Sequence, residues 1–303
     1  MRLATAAVPL LLAMALPTTA AGAPEGNMSD TWVFYTQSVG SAGTLGGSFT
    51  PEAALARTDT SLPGIPRIGF FRRAMASGEW DALARLVRSL GSARSSGMHS
   101  PGTPMVSLGI MAKGRAEIVH SQAEGALTPA EQEVFSKVEK KVEEVMGHAH
   151  RALEAGAAWG SAALGPDDDL VLEVRISNPG LGPVPFVHPG SRDGDGSGLS
   201  VTLARVGPDG TVVDARDVPF EGREVSEIVD GKVVPGSAPE LVELAPGRQV
   251  AFRARTRVRL VPADYRASAR IDVTAPPGSD EKAVWGTIVV DLPRLGVVRP
   301  GGK

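Results

Sequence analysis

Between Pro129 and Gly156 the apolar side chains recur at steps of three and four, and from Ala157 onward that period gives way to alternation. The first period belongs to a helix and the second to strands, so the chain is expected to change its build near this point. The start of the helix is marked by Thr128 as N-cap, Pro129 at the first helical position and Glu131 completing a Thr-x-x-Glu capping box. Val134, Val138, Val142, Val145, Ala149 and Leu153 form one stripe, widened by Phe135, Met146 and Ala152. Glu133, Lys137, Glu139, Lys140, Lys141, Glu143 and Glu144 fill the other face. His148, His150 and Arg151 trail the acidic start, as the helix dipole favours, and Gly156 suits a stop. A continuous helix over this range spans about 42 Å, more than a small domain needs. Gly147 is therefore the expected breakpoint, with the residues beyond it setting the angle between two domains.

Ahead of this stretch, strand and helix signals are segregated. Thr31 to Val39 is rich in β-branched and aromatic residues, and a second strand is expected within Phe49 to Arg57. Gly40, Gly43, Gly46 and Gly47 between them lack the Lys-Ser/Thr of a phosphate loop. A strand over Ile68 to Met75 is followed by a helix from Ser77 or Gly78, with Trp80, Leu83, Val87 and Leu90 on one stripe and Gly91 at its end. Met105 to Met111, a Lys113-Gly114 turn and Arg115 to His120 read as a β-hairpin. Residues 31–156 are thus expected to form an α+β domain, an antiparallel sheet with two helices. In residues 157–296 the alternation of Asp169 to Asn178 places Leu170, Leu172, Val174 and Ile176 on one face and Val171, Glu173, Arg175 and Ser177 on the other. Further strands are expected at Leu199 to Val206, Thr211 to Val218, Glu224 to Val229, Lys232 to Val234, Gln249 to Leu260, Tyr265 to Val273 and Val284 to Leu292. About eight strands at this spacing predict an all-β sandwich, with residues 297–303 as a tail.

Two family resemblances accompany these patterns. SVGSAGTLGG after the first strand, WDALARLVRSL, the hairpin MVSLGIMAKGRAEIVH and the helix opened by LTPAEQ resemble emfourin-type inhibitors of metalloproteases across residues 31–146. The inserted SLPGIPRIGFF departs from that pattern, so no inhibitory residues are carried over. What the resemblance implies is a small α+β fold that blocks a protease with an exposed loop, Gly40 to Gly47 or Arg94 to Gly102. LVLEVRISNPG, LAPGRQVAF and VRLVPADYRASARIDV resemble immunoglobulin-like sandwiches of exported bacterial proteins across residues 165–293. Tyr265, after Pro262-Ala263-Asp264, resembles a tyrosine corner, without the cysteine pair.

Arg2, the apolar run Ala6 to Leu16 and the small residues TTAAGA read as a signal peptide over residues 1–23, cleaved near Ala20 or Ala21, with residues 24–30 as a leader. No later run approaches the ~20 apolar residues of a membrane span, so no transmembrane segment is expected after signal removal. The expected location is periplasmic or secreted. The absence of cysteine removes disulfides, thiol nucleophiles and thiolate metal sites, and a net charge of −3 gives no field for non-specific nucleic-acid binding.

Two stretches carry candidate chemistry. Asp193, Asp195 and Ser197 followed by Gly198 open like a calcium loop, but the twelfth position from Asp193 is Ala204 where a bidentate Glu belongs. Arg253, Arg255, Arg257 and Arg259 alternate and place four guanidiniums on one sheet face, either paired with acids such as Glu243 or Asp272 or open to an acidic protein or anionic glycan. His99, His120, His148, His150 and His188 are scattered; Glu144 and His148 can converge, but two ligands do not make a metal site. No H-E-x-x-H or G-x-S-x-G motif occurs, and no cofactor is expected. The function these readings favour is an exported, non-enzymatic binding or adaptor protein of the bacterial envelope. A protease inhibitor is second, and third a hydrolase with a dispersed site, a pocket in which acids or His120, His148 or His150 converge.

Overall fold

The computed structural model describes residues 31–38, 43–95, 103–191, 198–234, 240–280 and 282–298. The signal and leader residues, residues 40–42 of the first proposed inhibitory loop and 96–102 of the second, His99, and Asp193, Asp195 and Ser197 lie outside the described residues, whereas residues 44–47 of the first loop belong to a strand. In chain order the strands of the first half are β1 (Thr31–Ser38), β2 (Thr44–Phe49), β3 (Ala53–Thr58), β4 (Arg67–Ala74), β5 (Arg94–Ser95), β6 (Met105–Ala112) and β7 (Arg115–Ala123). Helix α1 (Glu79–Arg88) follows β4 and α2 (Pro129–Met146) follows β7. Then come β8 (Ala149–Trp159), β9 (Ala163–Leu164), β10 (Asp169–Ser177), β11 (Val184–Val187), β12 (Leu199–Val206), β13 (Val212–Pro219), β14 (Val225–Val229), β15 (Lys232–Val234), β16 (Leu241–Leu244), β17 (Gln249–Arg257), β18 (Ala263–Val273) and β19 (Gly286–Val297).

The expectation of an α+β domain followed by a separate immunoglobulin-like sandwich does not hold. The described residues are mostly β, 56% strand against 15% helix, and one twelve-stranded sheet runs through both halves in the order β15-β14-β17-β10-β8-β4-β3-β2-β1-β6-β7-β5. A second sheet, β13-β12-β18-β19-β9, and the pair β11-β16 complete it. The element that overturns the expectation is β8. The helix begins as its capping box dictates, with Glu131 N–H donating to Thr128 Oγ1 at 3.3 Å and Thr128 N–H to Glu131 Oε2 at 2.7 Å. It stops at Met146, whose carbonyl accepts from Arg67 Nη1 at 3.2 Å. Residues 149–159 then run as a strand antiparallel to both β4 and β10. AHRALEAGAAW has helix-forming composition, but as a helix it would leave the backbone edges of β4 and β10 without partners, and the ladder on both sides outweighs propensity.

The two flanking layers lie on opposite faces of the large sheet. On β4, Ile68 packs into the core shared with the second sheet, whereas Phe71 packs under the helices; on β8, Leu153 and Ala152 divide the same way. Adjacent strand residues point to opposite faces, so β4 and β8 serve both cores. One core gathers Val33, Leu45, Leu108, Val138 and Val142 beneath α1 and α2. The other gathers Leu172, Val174, Phe252, Val201, Ile271 and Ile288 between the sheets. A bulge on β8 opposite Phe70 and Phe71 re-aims the strand where it leaves the helix.

A second tie comes from the insert that departs from the emfourin pattern. Thr287 N–H donates to Asp59 O at 2.8 Å and Ser61 N–H to Thr287 O at 3.0 Å, hooking the loop after β3 onto β19. The Asp59 carboxylate meanwhile accepts from Thr44 N–H and Oγ1.

The helices are fixed to the sheet by an ionic cluster. Glu79 at the start of α1 receives Arg73 of β4 at 2.5 Å and stands 3.6 Å from Lys141 of α2. The Arg73 guanidinium holds the Glu79 carboxyl down at about 2, against a reference of 4.5. Its folded value lies below its unfolded one, so its stabilisation is present above about pH 4.5 and is lost as pH falls toward 2. Glu79→Gln is expected to cost about 2 kcal/mol at pH 7 and to flatten the acid limb of stability. Urea melts at several pH values check this, and an unchanged acid limb counts against it.

Candidate functional site

The arginine row can be placed on the sheet by following register from the helix. Ala152 faces α2, so Glu154, two residues on, shares that face, and the pairings Glu154 with Ser177 and Glu173 with Arg253 carry the same face across β10 to β17. The row therefore lies on the face that the helices cover farther along the sheet. Past the end of α2 this face has no helical roof among the described residues. It begins with Arg67, which bonds Met146 O and pairs with Glu154 at 2.9 Å. It continues over Gly156 and Ala158, both exposed, to Arg175, Glu173 and Asp169 of β10 and then to β17.

Within the row the four arginines differ. Arg253 bonds Glu173 through Nε at 3.1 Å and also through Nη2. Arg255 donates Nε to Asp169 Oδ2 at 2.6 Å, with its side chain 69% exposed. Arg257 ends the strand, is exposed and has no ion pair among the described residues. Arg259 lies past β17, where its carbonyl accepts from Arg216 Nη2 at 3.2 Å, which brings a further guanidinium to this end. The acids that answer the row are thus Glu173 and Asp169, not Glu243 or Asp272; Asp272 instead pairs with Arg270 at 3.0 Å. Five guanidiniums, of Arg67, Arg175, Arg253, Arg255 and Arg257, meet three carboxylates, of Glu154, Glu173 and Asp169, on this face. Arg175, Glu173 and Asp169 were visible as the polar half of one alternating strand. Arg67 and Glu154 join them only through β8.

The histidines separate by environment. His188 is fully buried, accepts from Gly190 N–H at Nδ1 at 2.9 Å and stands edge-on to Phe252 at 4.9 Å. Burial holds its imidazole below the usual range, as suits a neutral core histidine. His150 sits in the β8 bulge, its imidazole held low by burial and by Arg72 and Arg151. His148 lies between α2 and β8. Among the described residues no three His, Asp or Glu side chains are grouped to hold a metal ion. His120 alone meets an acid in a cleft: its Nδ1 is 3.6 Å from Glu131 Oε1. Burial alone would raise the Glu131 carboxyl, but the bonds from Thr128 and Arg94 outweigh it and keep it below the usual carboxylate range.

Tyr265 forms the local contact its motif suggested, its hydroxyl donating to Val261 O at 2.9 Å.

No protein-family model matches the chain, and no curated protein matches it. Among solved structures it is similar to AvmM, described as catalysing macrocyclization in alchivemycin A biosynthesis, at 14% identity over 50% of this chain and 91% of that one, with a TM-score of 0.28. It is similar to the putative ApaA protein from Bordetella pertussis at 12% identity over 51% and 98%, with a TM-score of 0.23. A third is the Pseudomonas fluorescens alkylpurine DNA glycosylase AlkC, at 10% identity over 55% and 40%, with a TM-score of 0.24. Scores this low assign neither a fold family nor an activity.

Proposed function

We propose that this is an exported, non-enzymatic binding module of the bacterial envelope whose unroofed sheet face receives an acidic partner, a protein or an anionic glycan. The supporting observation is the excess of guanidiniums on that face, where the sheet's own carboxylates neutralise Arg253 and Arg255 and leave Arg257 exposed without one. A hydrogen-bonded sheet holds such charges at fixed spacing, about 6.6–6.8 Å between alternate residues, so little order has to be imposed on binding. Export rests on the signal-like start of the sequence. Among the described residues no helix is long and apolar enough to cross a membrane.

The test leaves the internal ion pairs alone. An Arg175→Ser/Arg257→Ser variant keeps Arg253 with Glu173 and Arg255 with Asp169. At about 0.1 M salt it should bind a heparin column roughly tenfold more weakly than the unaltered protein. Identical elution of the two proteins would remove this face as a binding surface.

A further inference from the structure

Between the C-terminal end of α1 and the first turns of α2 lies a cleft of about 540 Å³, a size that suits a small molecule. Leu86, Leu90 and Val134 give it an apolar wall, and His120 and Arg94 line it from β7 and β5. His120 is only 2% exposed, and neither of its ring nitrogens has a hydrogen-bond partner among the described residues. The two ring nitrogens of an imidazole so deeply buried are costly to leave without hydrogen-bond partners.

Glu131 does not fill the need, because 3.6 Å is beyond hydrogen-bond reach and its oxygens are committed elsewhere. They accept Arg94 Nη1 at 3.2 and 2.9 Å and Thr128 N–H at 2.7 Å. Both bonds from Arg94 leave through Nη1. Its Nε and Nη2, the edge that grips a carboxylate with two parallel bonds, therefore have no partner among the described residues.

We infer that this cleft binds the carboxylate of a small amphipathic acid, held by the Nε–Nη2 edge of Arg94 and hydrogen-bonded by His120, with its hydrocarbon part against Leu86, Leu90 and Val134. The remaining charges of the cleft are paired within it, Lys137 with Glu133 at 2.6 Å, so recognition rests on hydrogen-bond geometry more than on net charge. For an acid of hexanoate size the dissociation constant is on the order of 1 mM. The same carboxylate chemistry is offered by a free acid and by a peptide C-terminus.

The experiment follows the ring signals of His120 in the full chain carrying labelled histidine. The titrants are sodium hexanoate, hexanamide, a leucine-terminated pentapeptide and that peptide amidated. Saturable shifts with hexanoate, and responses roughly tenfold weaker with hexanamide, support the site and a free acid as its ligand. Shifts with the free-carboxyl peptide alone, and not its amide, support the site and assign it to chain ends. Arg94→Lys keeps a cation beside Glu131 but loses the two-bond edge and should weaken binding about tenfold. Ser92→Phe, at an exposed position on the rim, should abolish it with the melting temperature unchanged, and so covers the case in which Arg94→Lys does not fold. No saturable shift with either acid, or equal responses to acid and amide, overturns the inference.

Discussion

Gly69→Ala will cost this protein on the order of 4 kcal/mol of stability. Gly69 sits on β4 opposite Ala152 with φ at 126°, a backbone region that side chains rarely adopt. A Cβ built there meets Arg151 O at 2.3 Å and Ala152 Cα at 2.8 Å. Both neighbours are backbone of the adjoining strand, so relief requires the ladder itself to open. Gly156→Ala is the control: it lies on β8 with nothing within 4 Å of an added Cβ, and should change stability by no more than about 0.5 kcal/mol, or raise it. Hydrogen exchange localises the damage, since amides of the β4–β8 ladder should lose protection first in Gly69→Ala. Equal stability of the two variants would contradict the close approach.

Asn178→Ala should cost about 3 kcal/mol, corresponding to a fall of roughly 6–12 °C in melting temperature. The Asn178 side chain is fully buried and every polar atom on it is used. Its Nδ2 donates to Gly182 O at 2.8 Å and Leu244 O at 2.7 Å, and its Oδ1 accepts from Gly180 N–H at 2.9 Å. Truncation strands two carbonyls and one N–H away from water, which costs more than the bonds contribute when intact. Asn178→Asp should be worse at neutral pH, because it sets a carboxylate oxygen against the two carbonyls. A thermal melt within about 2 °C of the unaltered protein would show that water reaches this turn.

What was legible in the sequence was local chemistry. Thr128, Pro129 and Glu131 announced the start of α2, and both capping bonds are present. The Lys113-Gly114 turn fits its positive φ values of 50° and 72°, and the alternation of Asp169 to Asn178 became β10. What was not legible was the partner of each edge. Ala149 to Gly156 reads as the end of the helix, and only the unpaired backbones of β4 and β10, some 80 residues before and 10 after, make it a strand that runs on to Trp159. The same gap hid the candidate site. The polar half of β10 and the arginines of β17 could be read strand by strand, but that they share a face with α2 depends on a register transmitted through β8. His120 carried no sequence signal beyond its type, since its cleft is assembled from α1, α2 and two edge strands.

Because β8 bonds to β4 on one side and to β10 on the other, neither half owns it. A chain severed between residues 156 and 157 splits that strand: its first part stays paired with β4 but presents a raw backbone edge where β10 lay, and on the other fragment Arg175, Ile176 and Ser177 of β10 lose their partners. Such edges are templates for pairing with further copies. The halves are therefore not interchangeable modules: expressed singly, each should self-associate, and the seam that joins them is also what keeps either from polymerising.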